Sequence, residues 1–132
     1  MGQIVKCVDS AFCFDLAKGF RGAVAKAEEL SETGERLAIP ARALTEFLVG
    51  AFHQDGKRLA RALELISQLE VLDVTELIAI DAARLGGECL QRGKAIGTVD
   101  LLIASTAKHH HAPLLSRDSD LERIPGLTLE TY

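Results

Sequence analysis

Five very short apolar runs punctuate this chain, and longer stretches of helical spacing separate most of them. The runs lie at residues 4–8, 37–39, 71–74, 113–115 and 127–129. Strands of that length with almost no polar alternation are buried on both faces. A chain that alternates them with helices has one economical solution, a parallel sheet covered by helices on both sides. Helical segments are expected at residues 10–18, at 23–32 ending near Gly34, after Pro40 (Leu44, Phe47, Leu48, Ala51, Phe52), at 57–70, from Thr75 to Gly93, and at 99–108 with Thr98 as N-cap. Pro40 suits a first helical turn. The Gly86-Gly87 pair should weaken its helix by about 1 kcal/mol per glycine. No repeat or linker interrupts the pattern, so residues 1–132 read as a single domain.

Composition narrows the function. The hydrophobic fraction of 48% excludes wholesale disorder, and no apolar run approaches a membrane span. The start, Met1-Gly2-Gln3-Ile4-Val5-Lys6, meets a charge too early for the apolar core of a secretion signal. Cys7, Cys13 and Cys89 are odd in number and lack a close pair, which favours buried thiols in a reducing cytoplasm. Net charge is −4, from 15 basic and 19 acidic residues, and aromatic residues are only 5%. Such a chain has neither the basic excess nor the stacking platforms of a free-standing nucleic-acid binder. Any work on nucleic acid must rest on a local patch, a metal or a partner.

In sheets of this kind ligands bind beyond the carboxyl ends of the strands, where strand order reverses. Acids gather at those positions here. Asp9 follows the first strand, and Asp118 and Asp120 follow the fourth. If those two strands are neighbours at the switch point, Asp9 and Asp118 face one crevice. Asp100 falls in the first turn of its helix, where the dipole favours a negative charge. Glu46 falls inside a helix at the border of its apolar stripe, where a buried carboxylate would need a partner. Each acid taken singly is an ordinary turn former or cap. Together they make an all-oxygen donor set, which suits magnesium or manganese rather than zinc. A hard cation there would ionise water and neutralise phosphoryl charge.

The chain resembles the PIN-domain family, and within it the VapC-like ribonuclease toxins of type II toxin–antitoxin modules. The residues that carry the resemblance are Val8-Asp9-Ser10, then Ile39-Pro40-Ala41 with 44–50 around Glu46, then 97–107 opening on Gly97-Thr98-Val99-Asp100. The last block is 114–127, with Ser116-Arg117-Asp118-Ser119-Asp120. The resemblance implies a three-layer α/β/α sandwich with a central five-stranded parallel sheet. It implies metal-dependent hydrolysis of RNA phosphodiesters, with Mg2+ or Mn2+ held by Asp9, Glu46, Asp100 and Asp118. Ser10, Ser116, Arg117 and Asp120 would support those ligands or touch the substrate, Arg117 as a phosphate contact. It further implies a cognate antitoxin partner and a homodimer. Three positions depart from the family pattern. Ala11 replaces a polar residue beside Asp9, Ser116 a threonine, and Leu121 a phenylalanine.

Other features carry less. His109-His110-His111 point about 100° apart on a helix end, so they cannot share one ion and read as a solvated, mildly favourable helix terminus. No Gly-x-Ser-x-Gly turn marks a serine hydrolase, and residues 93–98 lack the order of a phosphate-binding loop. Lys57, Arg58 and Arg61 read as a solvated face. A rival reading keeps the scaffold as a protein-binding module with hydrolysis weak or lost, and it leans on the charge, the few aromatics and Ala11.

Overall fold

The computed structural model describes residues 4–54 and 56–132; Met1-Gly2-Gln3, read above for a leader, and Asp55 lie outside them. Five strands form one parallel sheet: β1 (Ile4–Val8), β2 (Arg36–Pro40), β3 (Glu70–Leu72), β4 (Leu114–Leu115) and β5 (Leu129–Glu130). Their order is β3-β2-β1-β4-β5. The chain therefore builds outward from β1 through β2 to β3, returns to the other side of β1 as β4, and continues to β5. The switch point lies between β1 and β4, paired at Cys7↔Leu114 and Val8↔Leu115.

Six helices fill the connections: α1 (Ser10–Ala17), α2 (Arg21–Thr33), α3 (Ala41–His53), α4 (Gly56–Ser67), α5 (Glu76–Gln91) and α6 (Thr98–His109). A short 3-10 turn, η1 (Ser119–Arg123), precedes β5. Parallel crossovers are right-handed, so reversing the direction of travel after β3 moves the α5–α6 connection to the opposite face from α1–α4. Burial agrees with three layers. Successive strand residues point to opposite faces, yet Cys7 and Val8, Ala38 and Ile39, and Leu114 and Leu115 are all 0% exposed. Both faces of the three central strands are covered. The edge strands β3 and β5 are only three and two residues long, which limits the edge they offer to other chains.

Local chemistry explains several boundaries that differ from expectation. The segment after Gly19 becomes helical at Arg21, so Gly22 lies inside α2; Gly34, at φ +68°, closes it. Pro40 ends β2 in extended backbone (φ −59°, ψ 140°) and caps α3 rather than entering its first turn. Thr98 is the first helical residue of α6 and not its N-cap; extended Gly97 takes that place, its carbonyl accepting from the Leu101 N–H. β3 begins at Glu70 and stops at Leu72, and β5 starts two residues late at Leu129. Both are set by where the neighbouring strand ends, since Ala38–Pro40 pair with Glu70–Leu72 and Leu114–Leu115 with Leu129–Glu130.

The glycine pair leaves α5 unbroken, and its two members differ. A Cβ on Gly86 would stand 2.8 Å from Leu101 Cδ1 of α6, whereas one on Gly87 would meet nothing within 4 Å. Gly86 thus marks close helix–helix approach. All three cysteines are free and buried, and burial pushes the Cys7 and Cys13 thiols up to about 12. They serve as small core residues.

Candidate active site

Asp9 caps α1. Its backbone is extended (φ −94°, ψ 175°) and its carboxylate accepts from the Phe12 N–H at 2.8 Å. At 8% exposure this is a buried carboxylate. Burial pushes it above the usual carboxylate range; hydrogen bonds from Ser116 and the Phe12 N–H pull it back, while the charges of Asp15 and Asp100 push it higher. Ser116, 4% exposed, follows β4 as Asp9 follows β1. Their adjacency is the strand pairing carried one residue further.

Asp100 is the third residue of α6. Burial raises it above the usual range, and the charges of Asp118, Glu46 and Asp120 raise it further, in that order. Asp100 thus lies within electrostatic range of Asp118, Glu46 and Asp120, and Asp9 within range of Asp100. Asp118 caps η1, accepting from the Asp120 N–H at 2.9 Å, and its own N–H donates to Ser116 Oγ at 3.1 Å. Glu46, expected as a buried carboxylate at the border of the apolar stripe, is exposed on α3. It needs no buried cation there; the Ser10 hydroxyl donates to it at 3.0 Å and ties α3 to α1.

The donor set fits a hard divalent cation. Every side chain is a carboxylate, and both Asp9 and Asp100 are raised by burial and by nearby negative charge, which a bound cation would relieve. Among the described residues no three His, Cys, Asp or Glu side chains stand close enough together to hold an ion.

Three residues outside the expected set join this edge. Asp15 on α1 accepts from Arg117 Nη2 at 2.8 Å and from the Tyr132 hydroxyl at 2.6 Å, and the Arg117 guanidinium lies 4.3 Å from the Phe20 ring centroid. Arg117 therefore turns back onto the protein. No local signal reveals this, because 117 residues separate Asp15 from Tyr132. The histidine run does not meet at one point. His109 and His110 stack edge-on with centroids 5.3 Å apart. His110 is half-buried, and burial with its neighbour's charge pushes it below the usual histidine value, so it is not the solvated cation expected. Arg58 and Arg61 line a groove of about 780 Å³ between α1, α3 and α4, floored by Phe14 and Phe47. No helix among the described residues is long and apolar enough to cross a membrane.

Comparison with known proteins meets the same fold. The chain is 32% identical over 107 residues to Ribonuclease VapC2 of Rickettsia felis, spanning 79% of this chain and 80% of the relative. It is 29% identical over 108 residues to the tRNA(fMet)-specific endonuclease VapC of Salmonella typhimurium, spanning 80% and 82%. Among solved structures it superposes on VapBC2 from Rickettsia felis bound to a DNA fragment from their promoter with a TM-score of 0.85 and 26% identity, covering 97% of this chain and 98% of the other. Against a toxin-antitoxin complex from Klebsiella pneumoniae the values are 0.73, 25%, 93% and 95%. The PIN domain family model matches residues 6–127. By that match, and by a five-stranded parallel sheet whose switch point gathers its acids, the chain belongs to the PIN-domain family.

Proposed function

We propose that this chain is a Mg2+- or Mn2+-dependent endoribonuclease that acts in the cytoplasm as the toxin of a toxin–antitoxin pair. The observation that carries the reading is the electrostatic linkage of the four acids: beyond the effect of burial, Asp100 is raised by the charges of Asp118 and Glu46, and Asp9 by that of Asp100. Asp9, Glu46, Asp100 and Asp118 would hold the ion. When bound, it supplies a water of lowered pKa and neutralises charge on the scissile phosphoryl group. The protein's part is orientation. The α1 cap fixes Asp9, the Ser116 hydroxyl holds that carboxylate, and Ser10 fixes the rotamer of Glu46. Asp120 adds negative charge at the rim. RNA as substrate is supported by one relative named a ribonuclease and another named a tRNA(fMet)-specific endonuclease, and an antitoxin partner by the toxin-antitoxin complex of the same fold. Three buried free thiols suit a reducing compartment. A homodimer is supported by Val49 and Phe52 of α3 and Leu77 and Ile80 of α5, apolar side chains between 48% and 67% exposed.

Incubation of the antitoxin-free protein with total RNA tests the reading. Cleavage is expected with Mn2+ or Mg2+ and is lost both in EDTA and in Asp100→Asn. Full activity of folded Asp100→Asn would exclude this site.

A further inference from the structure

Arg117 is the residue that the acidic edge leaves unexplained. It sits between Ser116 and Asp118, half-exposed, and its sequence position suggests a substrate contact. Its guanidinium instead donates to Asp15 at 2.8 Å, lies 4.3 Å from the centroid of Phe20 and 5.5 Å from that of Tyr132. Tyr132 donates its hydroxyl to the same Asp15 oxygen at 2.6 Å and meets the Phe12 ring edge-on at 4.9 Å. Phe12 is the residue whose N–H holds Asp9.

These contacts close a ring around both strand-end acids. From Asp9 the ring runs along α1 through Phe12 to Asp15, crosses to Arg117 and Tyr132, and returns by Ser116, whose hydroxyl accepts from the Asp118 N–H. The side chain of Asp15 is only 14% exposed, so its charge needs these two donors. The turn that carries Asp118 is otherwise held by its own hydrogen bonds, by the Ser116 N–H donating to the Glu130 carbonyl, and by buried Leu121 beyond it; none of these hydrogen bonds reaches α1. Asp118 itself is exposed, and β4 supplies only two paired residues before it.

We propose that Asp15, Arg117 and Tyr132 form a positioning clasp that fixes the 116–118 turn against α1 and so sets the separation of the Asp9 and Asp118 carboxylates for a divalent ion. This rests on the metal-dependent reading above. None of the three residues is a ligand. Their effect passes through the orientation of groups that are, and such supporting contacts are typically worth about 10–100-fold in metal affinity.

The test uses the full chain and three readouts: Mn2+ binding by electron paramagnetic resonance, amide hydrogen exchange of residues 117–121, and RNA binding. The variants are Arg117→Gln, Asp15→Ala and Tyr132→Phe, with Arg84→Gln on α5 as control. Arg117→Gln and Asp15→Ala are expected to weaken Mn2+ about 10–100-fold, and their double variant no more than the worse single one. Tyr132→Phe, which keeps the ring, loses less. Exchange at 117–121 quickens in all three while α5 is unchanged. Should Asp15→Ala not fold, the other two variants decide. Unchanged exchange and Mn2+ affinity would overturn the clasp. So would weaker RNA binding at unchanged Mn2+ affinity, which would make Arg117 a phosphate contact. No Mn2+ uptake by the wild type, with faster exchange in the variants, would defeat the metal reading and leave only a structural brace.

Discussion

Asp9 performs two tasks with one side chain, and they separate by substitution. As an N-cap it satisfies an orphan amide of α1; as a buried carboxylate it supplies charge to the acidic edge. Asparagine can do the first and not the second. Asp9→Asn is expected to melt in urea within about 0.5 kcal/mol of wild type yet to bind no Mn2+. Asp9→Ala should lose metal and about 1 kcal/mol of stability besides. Equal stability of the two variants would show that the cap contributes nothing. The charge of Asp9 was legible from its place after an apolar run. Its burial was not, because that depends on β4 and Ser116 lying alongside.

The helices show how far residue patterning reaches at the scale of elements. All six were foreseeable, since apolar spacing and helix-forming residues are local properties. Their ends were less so. Pro40 and Gly97 sit where chain direction changes between layers, and backbone geometry there overrides the cap preferences of Thr98. Gly86 and Gly87 make the same distinction within α5. In sequence they are equivalent helix weakeners; in the structure one faces Leu101 of α6 and the other faces open space. Gly87→Ala should stabilise the protein by about 0.5–1 kcal/mol, the ordinary helix gain. Gly86→Ala should fall clearly below it, because the new methyl must displace Leu101, itself only 6% exposed. Thermal denaturation of the pair decides, and equal gains would mean that α5 and α6 are not closely packed at this point.

Charge couples distant parts of the whole molecule, with opposite signs in two places. Glu130 on β5 is reached by Lys6 of β1 at 2.5 Å and Lys26 of α2 at 3.2 Å. Burial alone would raise its carboxyl, but the hydrogen bonds and charges of the two lysines outweigh that and hold it below the usual range. A depressed folded value gives stability that is present above the ordinary carboxylate pKa and lost as pH falls through the folded value. Glu130→Gln should therefore cost up to about 1 kcal/mol at pH 7, and the difference from wild type should vanish in strong acid. A difference that persists in acid would point to packing instead. Asp100 behaves in the opposite sense. Its raised carboxyl makes its ionisation unfavourable to the fold, so stability falls as pH rises through the ordinary carboxylate range. In EDTA at pH 7, Asp100→Asn is expected to be more stable than wild type by roughly 0.2–1 kcal/mol. Saturating Mn2+ should reverse the order, since a ligand at 100 times its dissociation constant contributes about 2.7 kcal/mol to the wild type alone. Scanning calorimetry with and without Mn2+ checks both halves.

By itself the sequence determined the class of fold, the number of strands and helices, and which carboxylates compete for the sheet edge. Those follow from hydrophobic period and from the position of acids after strands, which are properties of neighbours along the chain. Tertiary structure decided which strand ends lie together, how deeply each acid is buried, and what surrounds them. Asp9 gained a hydrogen bond from Ser116 and the charge of Asp15 nearby, Glu46 stands exposed, and Arg117, expected as a phosphate contact, reaches back to Asp15 and Phe20. The physical reason is distance along the chain. Charge, burial and hydrogen bonding act over a few ångströms in space, and the strand order β3-β2-β1-β4-β5 brings residues 9, 15, 117 and 132 within that range while nothing in their local sequence marks them as neighbours.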